Sequence, residues 1–200
     1  MQPGFLVTAF LILASASAPV GPGNVREEAP SPAARDAGTQ AFRFATTRWG
    51  ASPEETTRTL TQHGFTFEQA GEEGDLIFSG VLNGHPAVVI ALFGEQGLSK
   101  ILVSLPTDDG TTMETYREMR QLLGKAYGAP EIEVENYEYP FADGKHVGYE
   151  ATALRVGKAT IGALWKTNGE SLGIKITEHL IVSAHYESPA WPFEAERRRN

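Results

Sequence analysis

The sequence predicts an α+β domain in which two helices pack on antiparallel β-sheet, in the order β-α-βββ-α-ββββ. Three observations carry that prediction. Two segments open with helix-capping signals, Ser52-Pro53-Glu54-Glu55 and Thr111 to Glu114. The same segments close on His63-Gly64 and Tyr127-Gly128, where a glycine ends each helix. Apolar runs of strand length follow, separated by Asn83-Gly84, Asp143-Gly144 and Asn168-Gly169. The two halves read as a loose two-fold structural repeat without repetition of sequence.

Each element follows in order. Ala41-Phe42-Arg43-Phe44 starts the folded part as a short strand, with Phe42, Phe44 and Thr46 on one face. In the first helix Ser52 accepts from the Glu55 amide while Glu55 reaches back, and Pro53 has no amide hydrogen to leave unpaired. Its apolar face is little more than Leu60, which places it on the surface of the sheet. Leu76 to Leu82 and Ala87 to Phe93 flank Asn83-Gly84 as a hairpin, and Gly94 to Gly97 turns the chain into Leu98 to Leu105.

The second helix stands behind Asp108-Asp109-Gly110. Tyr116, Met119, Leu122, Leu123, Ala126 and Tyr127 form its apolar stripe, and Pro130 blocks extension. Strands are then predicted over Glu131 to Phe141, Val147 to Val156, Ala159 to Lys166, and Leu172 to about Tyr186. Pro189 and Pro192 end regular pairing, leaving Trp191 and Phe193 to dock or dangle.

The N-terminus predicts location. Phe5 to Leu13 is almost wholly apolar and is followed by Ala14-Ser15-Ala16-Ser17-Ala18, the pattern of a secretory signal peptide cut after about Ala16. As a helix, Phe5 to Ala18 reaches roughly 21 Å, short of the ~30 Å hydrocarbon core of a bilayer. The expected organisation is a signal peptide over 1–16, a disordered Pro/Ala-rich linker over 17–40, the α+β domain over 41–188 and a C-terminal tail over 189–200. The chain has no cysteine, which removes disulfides, thiolate nucleophiles, zinc–thiolate sites and a lipid-modified cysteine. No Asn-x-Ser/Thr sequon occurs, so a bacterial periplasmic or secreted setting is expected.

Charge narrows the partners. With 25 Asp and Glu against 17 Lys and Arg, the net charge of −8 argues against nucleic acid or an anionic membrane as the main partner. Arg197-Arg198-Arg199 reads as a solvated end.

No catalytic set, cofactor motif or metal-ligand spacing is predicted. Gly169-Glu170-Ser171-Leu172-Gly173 matches the G-x-S-x-G nucleophile elbow by letter, but that mechanism needs a strand before it and a helix after it. Here a hairpin turn precedes and a strand follows, so Ser171 reads as a turn serine. His179 and His185 share a strand face but stand roughly 20 Å apart at ~3.3 Å per residue, too far for one ion. His63, His85 and His146 are isolated beside turns, and phosphate-loop glycine patterns are absent. Asp108-Asp109 reads as complementing the dipole of the second helix.

One strand face stands out. Glu131, Glu133, Glu135, Tyr137, Tyr139 and Phe141 alternate to one side, with Ile132 and Val134 on the other. Two readings remain open: a bulge near Asn136 that swaps the faces, or an acidic-aromatic strip whose Tyr137, Tyr139 and Phe141 grip another protein.

Phe44, Trp49-Gly50-x-Ser52-x-Glu54-Glu55, the meander, and Leu123-x-x-x-Tyr127-Gly128-x-Pro130 form a plan that resembles the β-lactamase-inhibitory-protein-like and SmpA/OmlA-like groups of exported bacterial proteins. The resemblance spans most of residues 42–186 and rests on caps and core. It implies a helical element on an antiparallel meander and a binding or assembly role rather than catalysis. The resulting expectation is an exported, non-catalytic binding or assembly module of the bacterial cell envelope, acting on another envelope protein through a sheet face or edge. The alternatives are a periplasmic hydrolase built from dispersed residues such as His85, His146 or His179, and small-ligand binding between the two meanders.

Overall fold

A computed structural model describes residues 41–199; the expected signal peptide and linker lie outside the described residues. The elements run α1 (Pro53–Gln62), β1 (Thr66–Ala70), β2 (Leu76–Leu82), β3 (His85–Gly94), β4 (Gly97–Pro106), α2 (Thr112–Tyr127), β5 (Ile132–Tyr137), α3 (Glu150–Arg155), β6 (Ala159–Thr167), β7 (Glu170–Ile176), β8 (Ile181–Glu187) and α4 (Trp191–Arg197). All eight strands join one antiparallel sheet in the order β1-β2-β3-β4-β8-β7-β6-β5. The fold is α+β, and its order has an internal two-fold symmetry. Each half places one helix before four strands, the last strands β4 and β8 meet at the centre, and the first strands β1 and β5 form the edges.

Strand alternation decides what is buried. One cross-strand row runs Phe78–Val89–Val103–Ala184–Ile174–Ala163, and all six side chains are buried. Leu60 of α1, Tyr116, Met119 and Leu123 of α2, and Leu154 of α3 belong to the same core, so these helices cover that face. Burying a side chain of this kind stabilises the fold by about 1.5–3 kcal/mol.

The local signals act as the sequence indicates at several points. Ser52 Oγ accepts from the Glu55 amide, and Glu55 Oε2 accepts from the Ser52 amide. Asn83-Gly84 and Asn168-Gly169 both take positive φ, joining β2 to β3 and β6 to β7 by tight turns.

Six segments differ from expectation. Residues 41–46 are not a strand: Ala45 and Thr46 both have positive φ and the Thr47 amide donates to Phe44 O, closing a turn. Phe42 and Phe44 are nonetheless buried, Phe42 edge-on to Tyr127 and Phe44 against Phe65 and Tyr186. The chain then runs so close to β4 that a Cβ on Gly97 would lie 2.5 Å from Gly50 O.

An added strand, β1, follows α1; all five of its residues are exposed, so no burial alternation marks it. The second capping box does not form, because Asp108 Oδ1 accepts from the Gly110 and Thr111 amides and the Thr111 hydroxyl instead. These bonds hold the Asp108 carboxyl below its ordinary value.

The stretch Val147 to Val156 is a turn and α3 rather than a strand. The predicted long last strand is two strands, with the Leu180 amide donating to Thr177 O in the turn between them. Residues 191–197 of the expected tail form α4, whose Arg198 donates to both carboxylate oxygens of Asp75, to Glu73 and to Phe93 O. Trp191 docks against Lys100, whereas Phe193 stays exposed. Among the described residues no helix is long and apolar enough to cross a membrane.

Candidate functional site

The second face of the sheet carries the features that the core does not explain. Its cross-strand rows follow directly from the register. The middle row reads Ile77–Ile90–Leu102–His185–Gly173–Leu164–Ile132. One flanking row reads Ser79–Val88–Ser104–Ser183–Lys175–Gly162–Val134, and the other Leu92–Lys100–Glu187–Ser171–Lys166. Ile132 is 45% exposed and Val134 37%, while Ile77, Val88, Ile90, Leu92, Leu102 and Leu164 are half-buried. An antiparallel sheet covered on one side commonly alternates apolar and polar residues, so this second apolar face needs an account beyond the core.

Two glycines shape it. Gly162 and Gly173 lie on adjacent strands in neighbouring rows, and bare backbone there leaves a trough of about 320 Å³. Ile132, Val134 and Leu164 line its apolar part, and Lys175, His185, Ser171 and Glu187 line its polar part.

The polar groups form a defined network. Lys100 Nζ lies 2.8 Å from Glu187 Oε1, and Ser171 Oγ donates to Glu187 Oε2 at 2.8 Å. The Lys100 ammonium also sits 4.6 Å from the centre of the Trp191 ring, a cation–π contact that ties α4 to this end of the sheet. His185 Nε2 and Ser183 Oγ share a hydrogen bond of 3.0 Å. Burial first, then the Lys100 and Lys175 charges, hold the His185 imidazole down at about 4, with Glu187 offsetting part of this. The ring is therefore neutral at pH 7. The Lys175 side chain is exposed and makes no hydrogen bond or ion pair among the described residues.

The predicted partner residues lie elsewhere. Pairing of β5 with β6 runs unbroken from Ile132 to Tyr137, so there is no bulge at Asn136, and the strand ends four residues before Phe141. Tyr137 stacks on His146 with ring centroids 3.9 Å apart, and burial with the Glu135 charge pushes its hydroxyl up to about 12. Tyr139 is 82% exposed, and Phe141 is half-buried in a turn where its amide donates to Glu138 O. The three do not share one strand face. The acidic residues take close partners: Glu133 pairs with Arg120 of α2, and Glu131 lies 3.7 Å from Lys166.

The histidines are dispersed among different partners. His85 Nε2 meets Glu118 Oε2 at 3.0 Å, His146 stacks on Tyr137, and His179 lies 3.7 Å from Glu178 in the turn after β7. Ser171 sits on β7 rather than on the turn and donates to a carboxylate. No group of three or more His, Asp or Glu among the described residues is arranged to hold a metal ion.

The trough residues carried no signal in the sequence, although the wider apolar face beside them did. β3 and β4 carry apolar side chains at both alternating sets of positions, as in Ala87, Val89 and Ala91 against Val88, Ile90 and Leu92. No family model, no curated protein and no solved structure matches this chain.

Proposed function

We propose that this chain is an exported, non-catalytic binding or assembly module of the bacterial cell envelope, and that it engages another envelope protein through the face of its sheet opposite the core helices. The carrying observation is that face itself: three regular cross-strand rows whose middle row is apolar at Ile77, Ile90, Leu102, Leu164 and Ile132, with the core helices packed on the opposite side. A contiguous apolar patch on a sheet face, rimmed by polar residues, is characteristic of an interaction site. A partner with an apolar ridge and acidic flanks complements it, since Lys175 is exposed beside the row and its ammonium has no ion-pair partner among the described residues.

Two further features support binding over hydrolysis. Ser183, the hydroxyl hydrogen-bonded to His185, is only 4% exposed and is out of a substrate's reach. Ser171 faces Glu187 instead of an imidazole. The export half of the reading rests on the apolar run from Phe5 and the small residues around Ala16.

Site-specific photocrosslinking in intact envelopes tests this. A crosslinker at Ile90 or Leu102 is expected to trap one defined protein, and one at Lys125 of α2 is expected to trap none. Leu102→Asp should abolish the product. Equal crosslinking from both faces, or none from Leu102, defeats the reading. Intact mass of exported material beginning before Ser17 removes the cleavage assignment.

A further inference from the structure

We propose that the trough across β5 to β8 binds a medium-chain monocarboxylate, with the apolar tail along Ile132, Val134 and Leu164 and the carboxylate on the Lys175 ammonium. The site lies on the face discussed above but needs no protein partner, so the two readings stand or fall separately.

Shape gives the first argument. The cavity exists because Gly162 and Gly173 present no side chain where neighbouring positions present Val134, Leu164 and His185. Its volume of about 320 Å³ sits at the lower end of the ~300–1,000 Å³ range of small-molecule sites. It suits one short acyl chain and is too small for a two-chain lipid.

Charge gives the second. The negative charge at this end, Glu187, is already answered by Lys100 at 2.8 Å and by the Ser171 hydroxyl. Lys175 is answered by nothing among the described residues. The imidazole of His185 is neutral at pH 7, held so by burial and by the two lysines. One unanswered ammonium, one neutral imidazole and an apolar wall match a single negative charge on an apolar tail.

Titration calorimetry on the full chain with hexanoate, octanoate and decanoate tests the proposal. One-to-one binding is expected, tightening by about fourfold per methylene until the trough is filled. Decyltrimethylammonium should bind at least about tenfold more weakly than decanoate, since its charge opposes Lys175. Lys175→Gln should weaken decanoate about tenfold and leave decanol unchanged. Decanoate should also raise the His185 imidazole titration seen by NMR, which a purely apolar contact would not do.

Gly173→Val fills the trough without a backbone clash, because a Cβ there meets only Leu164 Cδ1 at 3.8 Å and Ala163 O at 3.9 Å. That variant should lose decanoate binding while keeping its unfolding midpoint. Unchanged decanoate affinity in Gly173→Val overturns the proposal, as does equal affinity for the alkylammonium. Tighter binding of an apolar tripeptide carboxylate than of decanoate also overturns it. If crosslinking from Leu102 persists while decanoate fails to bind, the acid assignment alone is lost.

Discussion

Gly173 on β7 and His185 on β8 are direct cross-strand partners, so an imidazole borders a strip of bare backbone. The second bare position, Gly162, is not equivalent to the first. A Cβ at Gly162 would come 2.9 Å from Ile174 O, a backbone atom of the neighbouring strand. Gly162→Val is therefore expected to cost about 1–3 kcal/mol through forced strand separation. Gly173→Val should change stability by no more than about 0.5 kcal/mol. Urea unfolding of the two variants separates them, and equal losses would contradict the geometry.

The His185 imidazole makes stability depend on pH. Its folded-state value is near 4, below the 6.5 of an unperturbed ring. Between those values the unfolded chain binds a proton that the folded chain refuses, so stability falls as pH drops from about 6.5 toward 4. The loss is on the order of 3 kcal/mol. His185→Gln, which cannot protonate, should show a smaller decline over that window. Chemical denaturation at pH 4.5 and pH 7 for both proteins gives the comparison. A wild-type-minus-variant difference that does not change with pH would refute it.

At the start of α1, Ser52 and Glu55 satisfy each other's amides. Ser52→Ala should lower stability by about 1 kcal/mol, and Ser52→Asp should retain most of it. Thermal melts of the two variants decide the point: an alanine variant as stable as the parent means that the cap contributes nothing.

Arg198 binds both oxygens of the partly buried Asp75 and also reaches Phe93 O and Glu73. Arg198→Ala leaves Asp75 short of its partner and is expected to cost about 2 kcal/mol. Amide exchange in residues 191–197 should accelerate more than in the central strands. Uniform acceleration across the sheet would show that α4 is not a separately released unit.

What the residues disclosed before the fold was known followed from how local the physics was. Asn83-Gly84, Asn168-Gly169, Ser52 with Glu55, and Tyr127-Gly128 all act within a few residues, and each is found in its expected conformation. The misreadings arose where a distant partner overrides local pattern. Phe42 and Phe44 are apolar because they meet Tyr127, Phe65 and Tyr186, not because they lie in a strand. The Val147 to Val156 stretch alternates like a strand, yet Ala153 and Leu154 are buried on a single helical turn. The trough was hidden for a related reason. Gly162 and Gly173 are eleven residues apart, one inside the predicted strand from Ala159 to Lys166 and the other in the G-x-S-x-G match; only the β6–β7 register makes them neighbours.

The strand order has a further consequence, for assembly of the molecule itself. Every pairing except one joins strands that are consecutive in the chain; the exception is the β4–β8 seam, where Val103 meets Ala184. Each meander can zip between sequence neighbours, through tight turns at β2–β3 and β6–β7 and through the α3 segment at β5–β6, and the slowest loop closure falls on that single contact. Substitutions along the seam are thus expected to slow folding, whereas those at the outer margins mainly hasten unfolding.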